Sequence, residues 1–411
     1  MHDVLPNEQK YFQRIYNVVE SIADFYGFQK IDTPILEQTE LFSRGVGLTT
    51  DIVEKQMYNL RTKGGDALTL RPEGTAPVVR AYIEHGMQNW PQPVKLWYFG
   101  PFFRYEHPQA GRFRQFWSFG FEVLGEEGGV IDIQIIQIFY NILKELKLKN
   151  LSLQINSVGD SQCRPYYKKL LVSYFKSREH ALCADCRRRL RENPLRILDC
   201  KEEKCQPIKA QAPQMIDHLC EECHKHFKEV LEFLEEVELP YQLNPYLVRG
   251  LDYYTRTVFE IFEEGKNGAL VGGGRYDALG KFLGRRNISA SGAAGGVERI
   301  VQAMKEKNIK LPEIASPQIF LAQLGRLAKR KSVKIVEDFR KIKVQVAESF
   351  GRDSLKAQLT RADKLGVKYT LILGQKEVLE GTVILRDMAN GRQDNIKMEK
   401  VVAEVKKRLK K

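Results

Sequence analysis

The 411-residue chain is narrowed first by what it does not contain. No run of eighteen apolar residues occurs, so no transmembrane helix and no membrane partner are expected. The opening MHDVLPNEQK has no basic segment followed by an apolar stretch, so no secretory leader is expected either. HExxH, a nucleophile elbow and a Cys–His pair are all missing, and none of the seven histidines has a motif around it. GxGxxG and the Walker lysine pattern are also absent, which removes the common dinucleotide and P-loop readings. Cysteine is odd in number, seven, with six of them crowded into residues 183–223. That is no disulfide framework for a chain of this size, and a reducing, cytoplasmic setting is expected. There is no internal repeat and no low-complexity tract.

What is present suits two or three domains: 43% of residues are apolar, enough to bury more than one core. The net charge of +13 is unevenly placed. Residues 317–411 hold 23 Lys and Arg against 11 Asp and Glu, whereas residues 1–316 hold 42 against 41. A phosphate backbone is attracted to such a basic quarter whatever its sequence, although a solvated face with a lysine-rich tail reads the same way on charge alone.

Apolar spacing predicts a helix over 7–26 ending at Gly27, and an antiparallel pair from LWYFGPFFRYE (96–106) and FRQFWSFGFEVLG (113–125) around the turn HPQAG. Residues 160–240 are helical, charged and cysteine-bearing, and look inserted between two β-rich blocks. Strands are expected again at TVFEIFEE (257–264) and through the triple glycine Gly272–Gly274. SGAAGGVERIVQAM (291–304) reads as a strand running into a helix. After the proline-bearing IKLPEIASPQ (309–318), strands at IFLAQL, IKVQVAE, YTLILG and TVILRDM alternate with helical stretches, as in a small α/β domain.

Chemistry concentrates in a few places. Arg104, Arg112 and Arg114 flank the hairpin turn with Glu106 among them, and paired arginines on a rigid hairpin suit bidentate capture of phosphate oxygens. Arg299 opens a helix behind two glycines, which lets backbone and cation approach an anion. In RGLDYYTRT (249–257) a fixed cation, a carboxylate and two phenols fall within six residues. The triple glycine is either backbone that passes close to a small ligand or a bulge. Two CxxC pairs, Cys183/Cys186 and Cys220/Cys223, stand at a spacing that suits one tetrahedral structural Zn²⁺, with Cys200 and Cys205 between them; the other reading is reduced thiols in a helical insertion.

Taken together, the motifs resemble the histidyl-tRNA synthetases, a class II aminoacyl-tRNA synthetase family, over essentially the whole chain. DTPILEQTELFSRGVG matches the family's dimer-interface segment, FRYEHPQAGRFRQFWSFGFEVLG its ATP-gripping hairpin and GGVERI (295–300) its closing helix. LVRGLDYYTRTVFE (247–260) and GGGRYDALGKFLG (272–284) match stretches particular to the histidine enzymes, and TLRPEGTAPVVRAYIEHG (69–86) belongs with them.

The resemblance implies an α+β protein: a class II catalytic domain with an antiparallel sheet and helices (1–160 and 241–308), a helical cysteine-bearing insertion (161–240), and an anticodon-binding α/β domain (317–411). It implies ligation of L-histidine to tRNA(His) through an adenylate, with ATP and Mg²⁺, by a homodimer. Arg104 would hold the α-phosphate and the substrate carboxylate, Arg112 and Arg299 the nucleotide phosphates, and Arg249 the charge that builds on the α-phosphate. Glu73 and Thr75 would meet the α-amino end, while Glu122, Tyr253 and Tyr254 line the histidine pocket. Where the family commonly has glutamine, this chain has Ser118, whose hydroxyl reaches less far. The turn His107–Gly111 would approach the acceptor end of the tRNA. Two other readings compete: an inactive synthetase-like regulatory subunit of histidine biosynthesis, which would tend to lose these arginines and the C-terminal domain, and a pure RNA-binding module, supported by charge alone.

Overall fold

The structure, a computed structural model, describes residues 2–47, 50–106, 111–266, 268–284, 286–311, 316–349, 351 and 354–409. It divides into two units, Met1–Leu311 and Pro312–Lys411.

The first unit begins with the helix Pro6–Tyr26, which has proline in its first turn and Gly27 in the left-handed conformation at its end. Strand β1 (Gln29–Lys30) follows. Strands β2 (Leu36–Gln38), β3 (Tyr58–Arg61) and β4 (Ala67–Leu70) form a small antiparallel sheet with β4 in the middle. Strands β5 (Val94–Phe103), β6 (Gln115–Leu124), β7 (Leu151–Ser157), β8 (Tyr241–Leu243), β9 (Thr255–Glu263), β10 (Val271–Arg275) and β11 (Ala290–Gly296) join β1 in an eight-stranded sheet ordered β1-β5-β6-β11-β10-β9-β7-β8. Only the outer pairs, β1 with β5 and β7 with β8, are parallel.

Alternation along β6 decides how the sheet is used. Phe119, Phe121 and Val123 face a core closed by the helices Pro6–Tyr26, Val130–Glu145 and Val297–Glu306. Ser118, Gly120, Glu122 and Leu124 face the other side, where the helix Thr75–Glu84 covers part of the sheet and the functional cavity opens over the rest.

Between β7 and β8 lie the helices Arg164–Lys176, Ala184–Glu192, Gln206–Ala210 and Glu221–Glu236, with a core of their own that includes Tyr167, Leu171, Phe175 and several cysteines. The last of these helices packs on Val130–Glu145, where His226 Nε2 lies 2.8 Å from Asp132 Oδ2.

Here the expected single zinc quartet does not form. Cys183/Cys186 meet Cys200 and Cys205, whereas Cys220/Cys223 meet Cys163 and Asp160. The reason is local: each CxxC sits at the start of its own helix, and each helix start is completed by a different loop folding onto it.

The second unit is a five-stranded sheet, β12 (Ile319–Gln323), β13 (Val346–Glu348), β14 (Tyr369–Leu373), β15 (Thr382–Asp387) and β16 (Gln393–Lys397), ordered β13-β12-β14-β15-β16. Helices Arg326–Lys341 and Val401–Leu409 pack on one face and Leu355–Lys364 on the other. Among the described residues no helix is long and apolar enough to cross a membrane.

Candidate active site

A cavity of about 280 Å³ lies over the central strands of the large sheet. Arg104, Arg112, Arg249 and Arg299 all line it, together with Glu73, Thr75, Ser118, Tyr253 and Tyr254. Four cations from three separate stretches of chain, the hairpin and the segments of Arg249 and Arg299, therefore share one space. Arg104 stands just past the end of β5, its Nε donating to Pro72 O at 2.8 Å and its guanidinium lying over the Phe116 ring. Glu106 lies between Arg104 and Arg112, 3.9 Å from the first and 3.6 Å from the second. Arg299, at the start of the helix Val297–Glu306, donates to Ala269 O at 2.7 Å. Burial pushes the Arg299 guanidinium below its ordinary pKa, and the positive charges of Arg112, Arg104 and Arg249 push the same way. Burial likewise lowers Arg104.

Arg249 explains the first glycine of the triplet, while Gly273 and Gly274 lie against the neighbouring strands. Its guanidinium pairs with Glu260 on β9, lies over the Tyr254 ring and crosses the face of β10. A Cβ at Gly272 would fall 2.3 Å from Arg249 Nη1, so only glycine leaves this path clear. Gly272 and Glu260 are directly opposite in the ladder, so register brings ion pair and gap together. Arg249 Nε is buried and has no hydrogen-bond partner among the described residues. A buried unpaired donor on a cation is costly, and an anionic ligand would satisfy it.

The other end of the cavity is built around carboxylates and hydroxyls. Glu122, on β6, is fully buried beneath the lining: Oε1 accepts from Thr75 Oγ1 at 2.7 Å and Tyr98 OH at 3.4 Å, and Oε2 accepts from Tyr276 OH at 2.5 Å. It is therefore behind the pocket wall rather than part of it. Burial raises its pKa to about 8, against the opposing pull of the Tyr276 and Thr75 hydrogen bonds. Its space exists because Gly292 faces it; a Cβ there would lie 1.7 Å from Glu122 Oε2.

Glu73 is also raised by burial, opposed by the backbone N–H groups of Ala76 (2.9 Å) and Thr75 (2.7 Å) that its two oxygens accept. It thereby caps the helix Thr75–Glu84 while Tyr253 OH reaches it at 3.3 Å. Ser118 Oγ donates to Gly295 O at 2.9 Å, so its hydroxyl hydrogen is engaged with β11. Glu298 accepts from Trp117 N with both oxygens, and burial brings its pKa to about 7.

Tyr98, Tyr276 and Glu260 were not singled out from sequence. Tyr276 lies in the GGGRYDALG stretch beside the glycines, a signal that was available; Tyr98 and Glu260 are brought in by strand alternation and register alone. Within RGLDYY, Asp252 does not join the cavity: it lies against Gly47, and its Oδ1 accepts from Asn193 Nδ2 at 3.1 Å. Residues His107 to Ala110 of the hairpin turn lie outside the described residues.

A family model described as Histidyl-tRNA synthetase matches residues 1–300, and one described as Anticodon binding domain matches residues 318–408. A protein named histidine–tRNA ligase from Dehalococcoides mccartyi is 44% identical over 409 residues, covering 99% of this chain and 98% of the relative. One of the same name from Desulfitobacterium hafniense is 45% identical over 410 residues, covering 99% and 97%. The crystal structure of apo S. aureus histidyl-tRNA synthetase superimposes with a TM-score of 0.79 at 35% identity, covering 98% of this chain and 97% of that one. Matched end to end in this way, with both family segments in order, the chain belongs to the histidyl-tRNA synthetase family.

Proposed function

We propose that the cavity joins histidine to ATP and that the resulting adenylate is passed to the terminal adenosine of tRNA(His). The first step is attack of the histidine carboxylate on the α-phosphorus, which adds negative charge at that centre before pyrophosphate leaves. A guanidinium already in place offsets that charge without reorganisation, the role assigned here to Arg249. Arg104 bridges the substrate carboxylate and the α-phosphate, while Arg112 and Arg299 take the outer phosphates. ATP is the substrate as its magnesium complex.

At the other end, Glu73 and Thr75 receive the α-amino group. The hydroxyls of Tyr98 and Thr75 face the imidazole, aimed by Glu122, which Tyr276 holds from behind, with Tyr253 and Tyr254 as walls. A site that hydrogen-bonds both ring nitrogens leaves its own groups unpaired against an apolar competitor, a discrimination of roughly 10⁴–10⁵. The second step uses the ribose hydroxyl of the tRNA as nucleophile, with no covalent enzyme intermediate. The basic C-terminal unit suits the anticodon stem. Zinc held by the inserted helices would serve structure rather than this chemistry. The exposed Ile35, Leu36 and Leu60 beside the small sheet support a homodimer contact there. The cytoplasm, where tRNA is charged, is the compartment this reading assigns.

The observation that carries the reading is the convergence of four arginines on one cavity whose far end is carboxylate and phenol. Histidine-dependent ATP–pyrophosphate exchange by the purified chain tests it. Exchange followed by charging of tRNA(His) is expected; no exchange would leave the regulatory-subunit and RNA-binding readings.

A further inference from the structure

Outside the cavity, the inserted helices hold two separate groups of four metal-ligand atoms. One comprises the Sγ atoms of Cys183, Cys186, Cys200 and Cys205; the other an oxygen of Asp160 with the Sγ atoms of Cys163, Cys220 and Cys223. Within each group the donor atoms all lie within 4.8 Å of one another. A tetrahedral Zn²⁺ with Zn–S near 2.3 Å keeps its sulfurs about 3.8 Å apart, and Cys183 Sγ stands 3.9 Å from Cys200 Sγ. None of the seven cysteines is in a disulfide. A polynuclear iron–sulfur cluster holds its four thiolates farther apart than one ion does, so the spacing fits a single ion in each group.

The surroundings are those that thiolates need. Cys183 and Cys220 each immediately precede a helix, Ala184–Glu192 and Glu221–Glu236, where the amide dipoles favour negative sulfur. Backbone N–H groups point at sulfur in both groups: Cys186 N to Cys183 Sγ, Cys183 N to Cys205 Sγ, and Asp160 N to Cys163 Sγ, each at 3.3 Å. In the second group Asp160 turns Oδ1 towards the thiols, 3.6 Å from Cys163 Sγ and 3.9 Å from Cys220 Sγ. Its Oδ2 faces Arg256 Nη2 at 3.9 Å. A ligand carboxylate oriented by an outer partner is the usual arrangement at a metal.

We infer that the chain carries two structural zinc sites, one Cys₄ and one Cys₃Asp. Each lies next to one end of the segment Arg249–Tyr254. Arg196, four residues before Cys200, donates to Arg249 O at 3.4 Å. Arg164, beside Cys163, donates to Tyr254 O and, at 2.9 Å, to Val158 O. The two ions thus staple the insertion where it grips the backbone of the cavity wall.

Elemental analysis of the untagged, full-length protein, purified without chelator, tests this. Two equivalents of zinc per chain are expected, falling to one in Cys200→Ser and to one in Cys220→Ser. Cobalt added to the reduced, stripped protein should give sulfur-to-metal charge-transfer bands. Those left in Cys220→Ser should be the stronger, because four thiolates remain there against three in Cys200→Ser. Trace metal only and no cobalt band in the parent protein would overturn both sites, without reliance on any variant folding. A single equivalent in the parent protein, lost in each variant, would mean a single mixed site and overturn the pairing. A single equivalent in the parent protein, lost in Cys200→Ser alone, would remove the Asp160 site, and iron with a cluster spectrum would overturn the zinc assignment.

Discussion

The two units handle positive charge in opposite ways. Residues 1–316 are nearly neutral, yet four guanidiniums are drawn into one partly buried space with Glu106 and Glu260 as counter-ions. Residues 317–411 carry the net excess, spread over exposed positions such as Arg330, Lys331 and Lys334 on the helix Arg326–Lys341. Buried charge is expensive, so it is kept few, held by strand register and glycine gaps, and aimed at a reacting centre. Exposed charge is cheap, screened by salt and tolerant of position, which suits a long polyanion more than a bond-making step.

The contrast breaks most easily at Arg249. Arg249→Ala should lower pyrophosphate exchange about 10²–10³-fold, as losing one preorganised donor does, with a much smaller change in ATP KM; an unchanged rate would remove its role. Gly272→Ala should act through the same residue. Its new methyl meets Arg249 Nη1, and a displacement of about 1 Å can cost on the order of 10²-fold in rate. Full activity in that variant would mean the guanidinium works from elsewhere.

A third test concerns pH. Burial raises the Glu122 pKa to about 8, so the folded protein keeps a proton that the unfolded chain gives up near the usual carboxylate value. Its contribution to stability is complete at low pH and is lost as pH climbs towards about 8, with Glu298 adding the same trend up to about 7. Thermal melts of the unliganded protein should therefore fall across this window, and less steeply in Glu122→Gln. Parallel curves would reject the raised carboxyl. The smallest effect belongs to the surface. Replacing Arg330, Lys331 and Lys334 by Gln should weaken tRNA binding a few-fold and flatten its salt dependence, leaving pyrophosphate exchange untouched; a changed exchange rate would blur the distinction between the units.

Much of this was legible in the sequence because unusual residues sat in unusual company. Arg249 with its glycines, the arginine hairpin and Arg299 behind paired glycines all announce a purpose that a solvated face does not have. Tyr98 and Glu260 were not legible, since each matters only through the strand opposite. The cysteines show the limit most clearly. Spacing reveals that Cys183/Cys186 and Cys220/Cys223 are pairs, but not that each is finished by a loop instead of by the other. One completing donor is an aspartate, hidden among 52 acidic residues. Strand β16 escaped for a different reason: QDNIK offers almost no apolar alternation, because its side chains are half in solvent at the sheet edge.

The strand order has a consequence for how the enzyme comes into being. β10 and β11 lie at the middle of the large sheet but are the last of its strands to leave the ribosome. Until they arrive, β6 and β9 each present an open hydrogen-bonding edge to whatever is nearby. A nascent chain cut short before residue 271 has therefore made most of the mass of its first unit and none of its catalytic capacity, and it is at its most adhesive at that moment.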